Sequence, residues 1–319
     1  MTIAELPWYD EIVERAPAHL AGSASWAGHV PFAFLLMKCL RPATVVELGV
    51  FAGNSLFAFA QAAAELDLAV RIHGIDTWES DPHSGGYDGD AMYRLVDRHR
   101  AETYPDRVEL HRATFDAARA RFAAGSVDLL HIDGYHRYDA VAHDYATWRE
   151  TLAPRAVVLF HDIAVREGDF GVWRFWDELK ATHGAERTFE FSHSNGLGVF
   201  CTAPPEAYPP PFAAFLRAGQ ARPDLAQTVF RLAGARVVER LDRVIAAQGF
   251  AAELELGRAR AAAERQACRE EIIRQTEAIA AQAAELAHLR ALLADMLNSR
   301  SWRLTAPLRW LNRRRAASR

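Results

Sequence analysis

Apolar positions in the first two hundred residues alternate between short β-branched runs and stretches with helical spacing. HVPFAFLLMKCL (29–40) reads as a buried helix that Arg41-Pro42 stops. TVVEL (44–48) is a short strand, followed by a glycine-bearing turn and then FAFAQAAAEL at helical spacing. RIHGID (71–76), RVELHRAT (107–114), VDLLHID (127–133) and AVVLFHD (156–162) are four further strands, with AARARFAA and AVAHDYATWRETL as helices between them. Strands alternating with helices predict a doubly wound, mostly parallel α/β sheet covered on both faces. In RTFEFSHSNGLGVFCT (187–202) two apolar runs flank SHSNG, which predicts an antiparallel hairpin closing that sheet. Four of the parallel strands end in or next to an acid: Glu47, Asp76, Asp133 and Asp162. Ligands of open α/β sheets sit at the carboxyl ends of the strands, so these acids are expected at one site.

The pattern changes after Thr202. APPEAYPPPF (203–212) holds five of the chain's 14 prolines, and 203–222 reads as a linker. From 223 to 298 the chain is rich in Ala, Glu, Arg, Gln and Leu. Ile272, Ile279, Leu286 and Leu293 recur every seventh residue, with Gln275, Gln282, Leu289 and Met296 three places later. This heptad predicts a long helix that self-associates as a coiled coil, since a solitary long helix is marginal in water.

Charge adds a tip to this outline. The net charge is −4, but residues 300–319 hold seven Arg and no acid, which leaves −11 on the remainder. The acidic body gives no reason to expect nucleic acid as a partner. Trp302, Leu304, Leu308, Trp310 and Leu311 interleave with these arginines, so the tail 299–319 suits an anionic membrane surface or a partner enzyme. Cys39, Cys201 and Cys268 are odd in number and far apart, as expected of reduced thiols. The acidic N-terminus does not read as a signal peptide, and no run is long and apolar enough to span a bilayer. The expected location is the cytoplasm, with the tail peripheral to the inner face of the plasma membrane.

Two motifs carry chemistry. The first turn runs Glu47-Leu-Gly49-Val-Phe-Ala-Gly53-Asn-Ser55, where glycines let the backbone pass close to a ligand at a helix N-terminus. A dinucleotide loop needs G-x-G-x-x-G, whereas this one is E-x-G-x-x-x-G. A carboxylate at the strand end suits a ligand with a free amino group better than a pyrophosphate. Asp76 closes the next strand and can accept both hydroxyls of a ribose. An amino acid plus a ribose points to S-adenosylmethionine. The second motif is His131-Ile-Asp133-Gly-Tyr-His136, followed after 24 intervening residues by His161-Asp162. Asp133 and Asp162 at neighbouring strand ends repel each other unless one protonates or a cation joins them. Oxygen donors with open positions suit Mg²⁺, and His161 as a third ligand shifts the preference toward Mn²⁺, Fe²⁺ or Zn²⁺. His136, on the loop above, is the candidate general base. His131, inside its strand, reads as a core or supporting residue.

Together VVELGVFAGNS, GIDTWESD, VDLLHIDGYHRYDAV, DYATWRETLAPRAVVLFHDI and HSNGLGVF resemble the class I methyltransferases of the macrocin O-methyltransferase and cephalosporin-hydroxylase-like group, over roughly 26–202. The resemblance implies a Rossmann-like methyltransferase domain over 1–202 and Mg²⁺-dependent O-methylation of a sugar hydroxyl. Relatives of this form are often found beside or fused to glycosyltransferases of surface-polysaccharide assembly, which implies a saccharide or glycolipid acceptor and a glycosyltransferase partner. The ending SRSWRLTAPLRWLNRRR is similar to that of many such proteins. Asp133, His136 and Asp162 match the family's D-x-x-H motif and acidic pair, while His161 stands where that pair has Glu. In this scheme Thr114 and Phe115 border the adenine. Two other classes stay open: a coiled-coil scaffold with a decayed methyltransferase domain, and a hydroxylase whose iron is held by His136, His161 and Asp133.

Overall fold

The computed structural model describes residues 16–80, 83 and 85–309, apart from the side chains of 249–257 and 261. Its strands are β1 (Thr44–Leu48), β2 (Arg71–Asp76), β3 (Val108–Arg112), β4 (Val127–Ile132), β5 (Leu152–His161), β6 (Thr188–Phe191) and β7 (Leu197–Cys201). The helices are α1 (Val30–Leu40), α2 (Asn54–Glu65), α3 (Gly89–Thr103), α4 (Phe115–Arg119), α5 (Tyr138–Trp148), α6 (Val172–His183), α7 (Pro210–Ala221), α8 (Pro223–Asn298) and α9 (Arg300–Leu304). The strands form one sheet in the order β3-β2-β1-β4-β5-β7-β6. β1 to β5 pair in parallel, and β7 lies antiparallel between β5 and β6. The doubly wound fold with its closing hairpin is therefore present as the pattern predicts.

Alternation along the strands sends side chains into two cores. Val45, Leu129, Val157 and Leu159 enter one, with Phe32, Leu36, Leu56 and Phe59 from α1 and α2. Val46, Leu130, Val158 and Phe160 enter the other, with Val141, Trp148, Trp176 and Leu179 from α5 and α6. Burial on both faces is why β5 reads as an unbroken apolar run, AVVLF. The order reverses beside β1, which pairs with β2 on one side and β4 on the other. That switch point opens a crevice at the carboxyl ends of β1 and β4.

The chain divides into two compact units, Met1–Gln248 and Gly249–Arg319. The proline-rich segment does not behave as an open linker. Residues 210–221 form α7, and Phe212, Phe215 and Leu216 are buried in the first core. Prolines at 209–211 start this helix because the first turn needs no N–H from them, and the spacing of FAAFL then buries one face. The opening turns of α8 add Val229, Phe230, Val237 and Leu241 to the same core, so the first unit extends well past position 202. In the second unit Ile272, Ile279, Leu286, Leu289, Leu293 and Met296 are exposed. No described helix is long and apolar enough to cross a membrane. Trp310, Leu311 and the arginines beyond Arg309 lie outside the described residues.

Candidate active site

The turn after β1 is shaped by steric necessity. Gly49 has φ +93°, and a Cβ there would stand 1.9 Å from the Asp133 carbonyl oxygen. Gly53 has φ +82° and leads into α2. Backbone bonds from Gly49 N–H to Ile75 and from Asp133 N–H to Leu48 tie the ends of β2, β1 and β4 together at 2.9 and 2.8 Å. Three non-glycine residues with left-handed φ flank this region: Phe51 (+47°), Trp78 (+53°) and Asp162 (+61°). Such conformations cost energy and persist where packing enforces them, commonly at functional sites.

A cavity of about 490 Å³ opens there. Gly49, Gly53, Ser55, Asp76, Thr114, Phe115, Asp133, His136 and Asp162 all line it. Asp76 is already engaged: Oδ2 accepts from Val50 and Phe51 N–H at 2.8 and 2.9 Å, and Oδ1 accepts from Trp78 N–H at 2.7 Å. Acceptor capacity remains chiefly on Oδ1. The Thr114 hydroxyl caps α4 by accepting from Ala117 N–H.

Two expected residues stand elsewhere. Glu47 is fully buried and does not line the cavity. It lies on β1, where alternation points it into the first core rather than out of the strand end. Ser55 donates to Glu47 Oε1 at 2.8 Å, and His131 Nδ1 lies 3.1 Å from Oε2. Trp26 Nε1–H donates to His131 Nε2 at 3.1 Å, which leaves the His131 proton on Nδ1, where it donates to Glu47. Burial raises the Glu47 carboxyl above its usual range, against the hydrogen bonds from His131 and Ser55. Glu47 thus braces the loop from behind and is not placed to meet an amino group in the cavity.

His161 is the second. It is buried, and both ring nitrogens are occupied: Nε2 donates to the Ser194 carbonyl at 3.1 Å, while Nδ1 lies 3.1 Å from Asp133 and 3.3 Å from Asp162. Burial alone lowers an imidazole pKa, but here the charges of Asp133 and Asp162 outweigh it and hold His161 well above its ordinary value. His161 is therefore a built-in cation behind the two carboxylates, with no nitrogen left to act as a ligand.

The front of the carboxylate pair belongs to His136. Its Nε2 lies 2.9 Å from Asp162 Oδ2 and 3.5 Å from Asp133 Oδ1. Burial works against its charged form, yet bonds to Asp133 and Asp162 prevail and raise its pKa to about 9. Burial would likewise raise both carboxyls, but the His161 charge foremost holds Asp133 and Asp162 well below the usual range. The Phe170 ring stacks on His136 at 5.1 Å, 9° from parallel. Asp133, His136 and Asp162 offer ligand atoms within 4.8 Å of one another. Asp162 Oδ1 and His136 Nδ1 are buried without a hydrogen-bond partner among the described residues. Two carboxylates beside an imidazole, one of the carboxylates with an unsatisfied oxygen, fit a divalent cation. Sequence reasoning missed Trp26 and Phe170, because each reaches the site through a fold contact that no local motif announces.

Residues 46–163 match a family model described as a methyltransferase domain, a span containing Asp76, Asp133, His136 and Asp162. An uncharacterized protein of Sinorhizobium fredii is 43% identical over 176 residues, which cover 55% of this chain and 19% of that protein. The chain thus spans about a fifth of the length of this curated relative. Among solved structures, a methyltransferase of Geobacter sulfurreducens aligns with a TM-score of 0.41 at 17% identity, covering 57% of this chain and 80% of that one. TomG, an O-methyltransferase of Streptomyces achromogenes involved in tomaymycin synthesis and solved with S-adenosylmethionine, aligns with a TM-score of 0.43 at 17% identity, covering 63% of this chain and 94% of that one.

Proposed function

We propose that the first unit is an S-adenosylmethionine-dependent O-methyltransferase that acts on a sugar hydroxyl in polysaccharide or glycoconjugate assembly, with a divalent ion held by Asp133 and Asp162 and with His136 as the base beside it. The observation that carries this reading is a shared cavity. The Gly49–Gly53 turn with Asp76 and the Asp133–His136–Asp162 cluster line the same space. A cofactor bound against the first therefore faces an acceptor bound against the second. The matched methyltransferase domain supports the class, and the sugar acceptor rests on the family resemblance.

S-adenosylmethionine would supply an electrophilic methyl group, and a divalent ion would lower the pKa of an acceptor hydroxyl. The chain's own part is positioning and proton handling. Oδ1 of Asp76 has room for a ribose hydroxyl, while its other bonds hold the loop against the cavity wall. Gly49 lets the turn pass directly against the Asp133 carbonyl, which keeps the two halves of the site together. Phe115 and Thr114 border the space where a base would stack. Asp133 and Asp162 hold a proton on His136 Nε2, and an ion engaging those carboxylates would free this nitrogen to receive a hydroxyl proton, while the Phe170 ring fixes the plane of the imidazole. His161 holds Asp133 and Asp162 from behind, as a supporting residue does for ligating carboxylates. A hydroxylase site built on His136, His161 and Asp133 would need His161 to release Ser194 and turn a nitrogen outward.

Self-association through the heptad face of α8 belongs to the same reading, as do a glycosyltransferase partner and contact of the basic tail with an anionic membrane. The exposed Ile272, Ile279, Leu286 and Leu293 support the first.

Calorimetric titration with S-adenosylmethionine, followed by a screen of saccharide acceptors with Mg²⁺ and with a chelator, tests the proposal. Micromolar cofactor binding and methyl transfer to a sugar are the expected results. A protein that binds no S-adenosylmethionine under either condition refutes the enzyme reading and favours a scaffold. Full turnover in chelator refutes the role of the ion.

A further inference from the structure

Away from the cavity, two histidines and a glutamate meet at the edge of the sheet. β3 is an edge strand and pairs with β2. His73 of β2 and Glu109 of β3 are register partners, and His111 follows Glu109 by two residues. The two-residue period of a strand puts all three side chains on one face. His73 Nδ1 lies 3.2 Å from His111 Nε2 and 3.6 Å from Glu109 Oε2. His111 Nε2 lies 3.7 Å from Glu109 Oε1, so the carboxylate offers one oxygen to each imidazole. The two rings are inclined by 25°. Phe122 packs edge-on against both, at 5.0 Å from His73 and 6.1 Å from His111, and limits their rotation.

These separations match a metal polyhedron. Ligands about 2.1 Å from a tetrahedral Zn²⁺ stand roughly 3.4 Å apart. A plain hydrogen bond between the imidazoles explains the 3.2 Å contact but gives no reason for a carboxylate to face both nitrogens. Two imidazoles and one carboxylate, with the carboxylate exposed toward solvent for a fourth ligand, form a borderline donor set that suits Zn²⁺ over Mg²⁺ or Ca²⁺. Arg71 near His73 and Arg121 near His111 oppose a cation, so Glu109 supplies the charge that makes one tolerable.

We propose that His73, Glu109 and His111 form a second metal site, for Zn²⁺ or a similar transition-metal ion, that clips edge strand β3 to β2. The site is independent of the methyltransferase reading, since it shares no residue with the cavity. Binding across two strands in the folded state adds stability by mass action.

The test is a calorimetric titration of the untagged 319-residue chain with ZnCl₂ near neutral pH. Excess Mg²⁺ is present to occupy the oxygen-rich cluster at Asp133 and Asp162. One Zn²⁺ equivalent binding in the micromolar range is expected. His73→Ala or His111→Ala should weaken that equivalent by more than about 100-fold, the upper end of what loss of a mere supporting residue costs. Glu109→Gln, at an exposed position where folding is not at stake, should weaken it by at least about tenfold. Co²⁺ in place of Zn²⁺ should give the visible bands of a four-coordinate ion, absent in Glu109→Gln. Zinc affinity unchanged in all three variants, binding only at millimolar concentration, or six-coordinate Co²⁺ in the parent chain would each overturn the proposal.

Discussion

Asp76→Asn separates two roles that the carboxylate combines. In the parent chain Asp76 accepts three backbone N–H bonds of 2.7 to 2.9 Å, two of them on Oδ2. An amide keeps one acceptor oxygen and turns an NH₂ toward the other donors. If the oxygen stays with Trp78, the bonds from Val50 and Phe51 are lost, and their N–H groups face another donor. Each hydrogen bond to a charged group contributes about 1.5–3 kcal/mol, and the amide recovers part of this by local adjustment. The expected loss of stability is about 2–4 kcal/mol. For a unit of this size that lowers Tm by roughly 5–15 °C, measurable by circular dichroism. Binding of S-adenosylhomocysteine, followed by calorimetry well below the variant's Tm, should weaken by more than about 100-fold, because the loop and the ribose acceptor change together. Asp76→Glu supplies the control, since it keeps the charge and displaces it by one methylene. An Asp76→Asn variant with parental Tm would refute the anchoring argument. One that is destabilised yet binds S-adenosylhomocysteine at parental affinity would refute the ribose assignment.

Other outcomes follow from single contacts. His136→Ala should lower turnover by about 10²–10⁴ while leaving S-adenosylhomocysteine affinity unchanged, and unaltered turnover in a methyl-transfer assay would remove its role as base. Gly49→Ala forces a Cβ against the Asp133 carbonyl at a positive φ, so urea denaturation should show a loss of about 2–5 kcal/mol. Asp144 is buried, and burial raises its carboxyl from 3.8 to about 7. The folded state then holds a proton that the unfolded state has released, so this group's contribution is full below pH 3.8 and declines as pH rises to about 7, by up to about 4 kcal/mol. Asp144→Asn should remove that decline and be the more stable form at pH 8; a parallel pH–stability profile would contradict this. Ile279→Glu with Leu286→Glu should convert an oligomer to a monomer in sedimentation velocity, because both residues lie on the exposed heptad face.

Local pattern determined a great deal of this protein. The β-branched runs, the glycines of the first turn and the SNG hairpin specify strands, crossovers and the closing pair, since backbone preference and side-chain alternation act over a few residues. Strand ends that carry acids also marked the site, because a parallel sheet brings its carboxyl ends to one edge. The proline-rich segment packs as a helix where its composition predicts a linker, for a physical reason: prolines open a helix as readily as they extend a chain, and only the apolar surface that Phe32 and Phe230 offer to Phe215 decides which occurs. The tertiary structure alone decided the roles of Glu47 and His161. Their positions beside the motif are plain in the sequence. Whether a carboxylate at a strand end turns to a ligand or into a core, and whether an imidazole serves as a ligand or as a counter-charge, depends on what stands behind it. For Glu47 that is His131, held by Trp26 from a distant segment. For His161 it is the Ser194 carbonyl, carried in by the hairpin between β6 and β7. Hydrogen-bond partners separated by 33 to 105 residues leave no trace in local spacing, because folding alone brings them within reach of each other.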